Sequence, residues 1–219
     1  MSTRYLFCIV RTLVTDYQSE SELDHVHRLQ DQITIRVDDP TSASLSLISY
    51  DKKSLDQTRA SLLELMDNQD SAKMFGPEHE VDPISHVIGA AGGWGGLPQT
   101  LATYETRTVD VNDGTRDYYI HVPASVPADG FWSITVYDEN GYFFHRVDSS
   151  NKNQFNTIKE DDGSVIINFT NDTTKRNMIN IRSGWTYTVR LYEPQLSIIS
   201  GKWHFPEAIP ISKNQMAEM

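Results

Sequence analysis

The stretch Phe131-Trp132-Ser133-Ile134-Thr135-Val136-Tyr137-Asp138-Glu139-Asn140-Gly141-Tyr142-Phe143 decides the fold. From Trp132 to Tyr137 apolar and hydroxyl residues alternate, the period of a strand with one face buried. Asn140-Gly141 then predicts a hairpin through a type I′ turn, because both central residues of that turn need positive φ. The same period runs outward from Leu101. It predicts strands over residues 104–111, 117–122, 131–137, 142–147, 165–170 and 186–192, with turn signals at Asn112-Asp113-Gly114, Asp161-Asp162-Gly163 and Ser183-Gly184. Short, evenly spaced strands with such turns indicate two packed sheets or a barrel. The expectation is a mainly β protein: a jelly-roll-like antiparallel β-sandwich over residues 93–210, preceded by two or three amphipathic helices.

Upstream the period changes to that of helices. Ser19-Glu20-Ser21-Glu22 fits a capping box, and Leu23, Val26, Leu29 and Ile33 follow on one face. Asp51 opens a second helix with Leu55, Leu62, Leu63 and Met66 as its apolar side. Asp82-Pro83 opens a third, which stops at Gly92-Gly93. Pro40 and its polar neighbours form a connector, and Leu45-Ser46-Leu47-Ile48 fits either a strand or a helix run-in. The helical segment is thus placed at residues 16–92, with a tail at 211–219. Before it, Tyr5-Leu6-Phe7-Cys8-Ile9-Val10-Arg11-Thr12-Leu13-Val14 reads as a well-buried strand, with Cys8 as a small buried hydrophobe.

Composition narrows the function classes. The 219 residues carry 19 basic and 30 acidic side chains, a net charge of −11, with no long basic run. Phosphate neutralisation of nucleic acid and binding to an anionic membrane surface are therefore not expected. One cysteine allows neither an internal disulfide nor a Cys-rich zinc site. No segment approaches the length of an apolar membrane helix, and no cleavage-site pattern marks a signal peptide, so the expected location is cytoplasmic by default.

No motif fixes a chemistry. Gly89-Ala90-Ala91-Gly92-Gly93-Trp94-Gly95-Gly96 lacks the Lys of a phosphate loop and ends a helix, where the dipole has the wrong sign for an anion. It reads as a corner of close chain approach, with Trp94 plugged into the sandwich. The acidic turns at Asp138-Glu139-Asn140-Gly141 and Glu160-Asp161-Asp162-Gly163 resemble calcium loops only in composition, and turn formation accounts for them. The seven histidines show no metal spacing. No cofactor or metal is expected. Two sequons begin at Asn168 and Asn171. Trp94, Trp132, His145 and Trp185 are the candidate ligand-binding residues, as an aromatic platform with a histidine; packing in the core is their alternative role.

Val126-Pro127-Ala128-Asp129-Gly130-Phe131-Trp132, Asn140-Gly141-Tyr142-Phe143, Gly184-Trp185-Thr186-Tyr187-Thr188-Val189-Arg190-Leu191-Tyr192 and Gly201-Lys202-Trp203-His204-Phe205-Pro206-Glu207-Ala208 together resemble the mostly bacterial family filed as domain of unknown function 1214. Arg4-Tyr5, Val10-Arg11-Thr12-Leu13-Val14, Met74-Phe75-Gly76 and Gly92-Gly93-Trp94-Gly95-Gly96 are similar to the central part of two-part members, which carry a further N-terminal β domain filed as unknown function 1254. The resemblance implies a β-sandwich with a helical linker and no assigned catalytic residue. It also implies that residues 1–15 are the last strand of a first domain that is otherwise missing. Such a strand is expected to pair within the chain, with another copy or with a partner chain. The expected function is a non-enzymatic structural or ligand-binding sandwich. The rivals are a capsid-like or assembly subunit, and a hydrolase acting on esters or glycans, for which no nucleophile elbow is present.

Overall fold

Alternation along the chain becomes two sheets. In the computed structural model, which describes residues 8–16, 18–36, 49–66, 69–93, 95–144 and 150–211, the strands are β1 (Ala102–Arg107), β2 (Tyr118–Val122), β3 (Trp132–Tyr137), β4 (Asn151–Asn153), β5 (Val165–Phe169), β6 (Met178–Ile179), β7 (Thr186–Tyr192) and β8 (Ile209–Pro210). One sheet has the order β1-β7-β3-β4 and the other β6-β5-β2-β8. All pairings are antiparallel except β5 with β6. Ile134, Val136, Tyr187, Val189 and Leu191 from the first sheet share one buried cluster with Tyr118, Ile120, Val122, Val165, Ile167 and Phe169 from the second. This is the mainly β architecture with helices that the period-two pattern predicts.

The chain falls into two compact units, Met1–Ser49 and Tyr50–Met219. The first contains helix α1 (Glu20–Asp31), whose N-cap Ser19 accepts a hydrogen bond from the Glu22 N–H. The Glu22 carboxylate does not return to Ser19. It accepts from the N–H and hydroxyl of Thr15, and these bonds hold its pKa below the ordinary range. Residues 8–14 correct the expected buried strand: none is in a strand, Cys8 is exposed, and Leu13 is 79% exposed. The composition suits a strand, but a strand also needs a neighbour for its backbone groups. Residues 5–7 of that expectation lie outside the described residues.

In the second unit, Asp51 caps α2 (Lys52–Leu63) through the Ser54 N–H at 2.8 Å. Asp82 caps α3 (Pro83–Gly93) through the N–H groups of Ile84 and Ser85. Two of the three glycines of α3 are sites of close approach. A Cβ at Gly89 would lie 2.9 Å from Met74 Cβ, and one at Gly92 would lie 2.2 Å from Met66 Cε. The expected close approach is therefore to methionine side chains. A short helix, α4 (Leu196–Ile199), follows β7.

The hairpin after β3 differs in type from the expectation. The Asp138 N–H donates to the Tyr142 carbonyl at 2.9 Å and the Gly141 N–H to the Asp138 carbonyl at 3.0 Å. Of the turn residues only Gly141, at φ +82°, has positive φ. This is the three-residue loop, with a left-handed glycine closing the turn. Residues 142–144 form no strand, and 145–147 lie outside the described residues. The strand that pairs with β3 is β4, with Thr135 opposite Asn151 and Ser133 opposite Asn153.

Candidate functional site: the outer face of the β1-β7-β3-β4 sheet

Because Tyr187, Val189 and Leu191 of β7 point into the core, Thr186, Thr188, Arg190 and Tyr192 point away from it. Register places Thr106, Thr188 and Thr135 in one row across β1, β7 and β3, and Tyr104, Arg190 and Ser133 in the next. Ser133, Thr135 and Thr188 are buried, although they lie on the outer face. The hydroxyls of Thr106 and Thr188 are hydrogen-bonded at 2.9 Å. Arg190 is half-buried and lies along β3. Its Nη1 donates to Thr135 Oγ1 at 3.1 Å and its Nη2 to the Tyr137 hydroxyl at 2.5 Å. Asn151 Nδ2 also donates to Thr135 Oγ1, at 2.8 Å.

The outward positions of the four strands carry no carboxylate, and Arg190 takes part in none of the ion pairs among the described residues. A half-buried guanidinium held by neutral hydroxyls in a chain of net charge −11 is a concentrated positive site. Aromatic rings stand at both ends of the strip. Tyr137 meets Phe143 with centroids 5.2 Å apart, and the Arg190 guanidinium carbon is 5.7 Å from the Tyr137 centroid. At the other end Phe131 stacks on Tyr192 at 4.3 Å and meets Phe155 at 5.4 Å. Tyr142, Phe143 and Phe155 are exposed.

Two clefts lie elsewhere. One, of about 160 Å³, is bounded by Pro123, Ser125, Val126, Trp132, Lys159 and Val165. The other, of about 330 Å³, lies between Arg107, Asp110, Tyr118, Tyr187, Glu207 and Pro210. Several of its polar groups hold the fold. Arg107 Nη1 donates to the Phe205 and Pro206 carbonyls, and its Nη2 pairs with Glu105. The Tyr187 hydroxyl accepts from the Ala208 N–H at 3.2 Å, and burial pushes its pKa up.

Of the expected ligand residues, Trp94 and His145 lie outside the described residues. Trp185 is 0% exposed, between Phe169 at 5.0 Å and Tyr187 at 5.9 Å, so it is a core residue and not part of a surface platform. Trp132, 4% exposed, packs on Phe205 and lines the smaller cleft. The acidic turns use their carboxylates locally: Asp138 accepts from the N–H groups of Asn140 and Tyr142, and Asp162 from the N–H and hydroxyl of Ser164. Among the described residues no three His, Cys, Asp or Glu side chains gather as metal ligands. Asn168 is buried, with its amide donating to the Arg176 carbonyl, so its sequon is closed to glycosylation in the folded chain. The outer-face residues Arg190, Tyr137, Thr135 and Asn151 are not singled out by sequence. Their signal is the outward series of β7, where one arginine interrupts hydroxyl and aromatic residues.

Residues 99–196 match a family model described as "Protein of unknown function (DUF1214)". This segment is similar to the DUF1214 family. It runs from just before β1 to the start of α4, so β8 lies beyond the matched segment. Among solved structures, the VPA0106 protein of Vibrio parahaemolyticus superposes with a TM-score of 0.59 at 14% identity, over 89% of this chain and 66% of its own. That likeness shows the fold alone, and the chain spans just under two thirds of that protein's length. An uncharacterised protein from Burkholderia cenocepacia gives a TM-score of 0.41 at 14% identity, over 57% of this chain and 32% of its own. No curated protein matches the chain. Among the described residues no helix is long and apolar enough to cross a membrane.

Proposed function

We propose that this protein is a non-catalytic, ligand-binding β-sandwich of jelly-roll-like connectivity, and that its ligand surface is the outer face of the β1-β7-β3-β4 sheet. The observation that carries this reading is Arg190, half-buried on a central strand, bonded among the described residues only to neutral hydroxyls and close to the exposed ring of Phe143. Charged groups held away from water without a counter-charge are costly, and binding sites are where such arrangements are retained. The connectivity supports the jelly-roll part, since β1, β2 and β3 alternate between sheets and β7 lies between β1 and β3.

The hydrolase alternative has less behind it. Ser164, Asp162 and His121 come near one another, but the Ser164 hydroxyl donates directly to Asp162 at 2.6 Å, and Ser164 is buried. A nucleophilic serine instead needs the imidazole between it and the acid.

Backbone NMR of the whole chain tests the ligand-binding reading. Neutral sugars, aromatic acids and simple esters are titrated separately, and at least one of these classes is expected to shift resonances of residues 104–106, 133–137 and 186–192 saturably, with no turnover of the ester. Perturbation confined to the two clefts, or ester cleavage that survives Arg190→Gln, would sink it.

A second reading concerns assembly. Ile9, Val10 and Leu13 form an exposed, β-prone segment, and we propose that it pairs with another copy or a partner chain. Light scattering of the wild type against Leu13→Asp tests this. An identical monomer mass for both over a wide concentration range would remove self-association.

A further inference from the structure

We infer, resting on the ligand-binding reading above, that the Arg190 site takes a small monoanionic carboxylate borne on a flat aromatic body. Hydrogen-bond accounting on the outer face comes out unequal. The oxygens that face Arg190 are already accepting: Thr135 Oγ1 from Arg190 and from Asn151, and the Tyr137 hydroxyl from Arg190. Their own protons remain to be donated, and a guanidinium has more N–H groups than these two hydroxyls use. Counted over the oxygens that face Arg190, donors are therefore in excess.

A neutral sugar donates as often as it accepts and would leave some of its hydroxyls unmatched there. A carboxylate only accepts, and a planar guanidinium matches its two oxygens. Charge selects within the anions. One guanidinium, with no other cation among the outward positions of these strands, balances one negative charge. A dianion would leave a surplus in a chain already at −11. The adjoining surface selects the body of the ligand. Tyr137 and Phe143 are 5.2 Å apart at one end of the guanidinium, and Phe143 is 55% exposed, so a ring placed there covers apolar surface now in water. The buried hydroxyls beneath Arg190 keep one side of the site away from solvent, where a charged pair is screened less than on an open surface.

Isothermal calorimetry and amide NMR of the full chain, with benzoate as probe, test the inference. The comparison probes are benzyl alcohol, acetate, inorganic phosphate, glucose and a hexapeptide of glutamates. Benzoate is expected to bind saturably at the outer face, more tightly than acetate or phosphate, while benzyl alcohol and glucose leave those resonances unmoved. Arg190→Gln should weaken benzoate by about tenfold or more, the scale of a charge-assisted hydrogen bond. Phe143→Ala, at an exposed position, should reduce the preference for benzoate over acetate and leave acetate unchanged. It keeps the test decisive if Arg190→Gln fails to fold. Glucose shifting the face while benzoate is silent overturns the carboxylate inference and leaves the ligand-binding reading standing. The same holds if only the acidic peptide binds, which makes the partner a protein. No probe moving the face overturns both.

Discussion

The guanidinium of Arg107, on an edge strand of one sheet, donates to the backbone carbonyl of Phe205 across 2.8 Å. Phe205 belongs to the segment that goes on to form β8 of the other sheet, so this bond ties the two sheets together at their edge. Two further contacts make it a clasp: the Ala208 N–H on the Tyr187 hydroxyl, and the pairing of β8 with Tyr118 and Tyr119. Replacing Arg107 by Met is expected to lower stability by about 2–4 kcal/mol, because two carbonyl bonds go and Glu105 is left without its cation. Urea unfolding checks this. Arg107→Lys should recover less than half of the loss, since an ammonium lacks the fork that serves both partners.

Asn177 stands in for a missing strand. It is buried at φ +48°, its amide donates to the carbonyls of Ile158 and Ile166, and its Oδ1 accepts from the Ile158 N–H at 2.7 Å. Asn177→Gly keeps the backbone conformation and loses the three bonds; Asn177→Ala loses both. The expected losses are about 2–3 kcal/mol for Gly and roughly 1 kcal/mol more for Ala. Thermal unfolding of the two variants separates the terms. Equal midpoints would mean that the left-handed conformation carries no strain.

Gly89 and Gly92 of α3 should respond in opposite directions. A methyl at Gly89 meets Met74 Cβ, which cannot move without its backbone, so Gly89→Ala is expected to destabilise by about 1–3 kcal/mol. A methyl at Gly92 clashes with Met66 Cε, the free end of a flexible chain, and meets Leu63 Cδ2 and Met66 Sδ at ordinary contact distance. There the helix preference of Ala should offset the displacement and leave stability unchanged or raised by up to about 1 kcal/mol. Chemical denaturation of both variants gives the comparison.

Stability should fall in acid through local carboxylates. Asp51, Asp82, Asp113, Asp162 and Asp172 have pKa values lowered by N–H and hydroxyl bonds within their own turns and caps. A lowered folded value means that the contribution is present above the unfolded value of about 3.9 and is lost as pH falls through the folded values. The urea midpoint is expected to be flat from neutral pH to about 5 and to drop below about 4. Asp162→Asn should remove its share of that drop. At the other extreme, the raised Tyr187 contributes stability that is lost as pH climbs beyond the ordinary phenol value of about 10.

What could be read in advance follows from how local each signal is. Ser19, Asp51 and Asp82 announce the helix starts because a cap is a contact within three residues. β3, β5 and β7 are long enough for inside-outside alternation to show. β4, β6 and β8 are two or three residues long and exist only because a neighbour supplies their hydrogen bonds. Residues 8–14 show the converse: strand-like composition with no neighbour among the described residues. The Arg190 site was hidden for the same reason. Its partners Thr135 and Tyr137 are 55 and 53 residues away, and only the register of β3 against β7 brings them together.

The place of β7 between β1 and β3 has a consequence for how the protein is made. Thr106 leaves the ribosome 82 residues before Thr188, its partner across the sheet. At synthesis rates of about 5–20 residues per second, β1 waits roughly 4–16 s with no strand beside it. A nascent chain arrested before Thr186 holds two halves of a sheet with nothing to join them. Such a chain should be the form that chaperones retain and proteases clear.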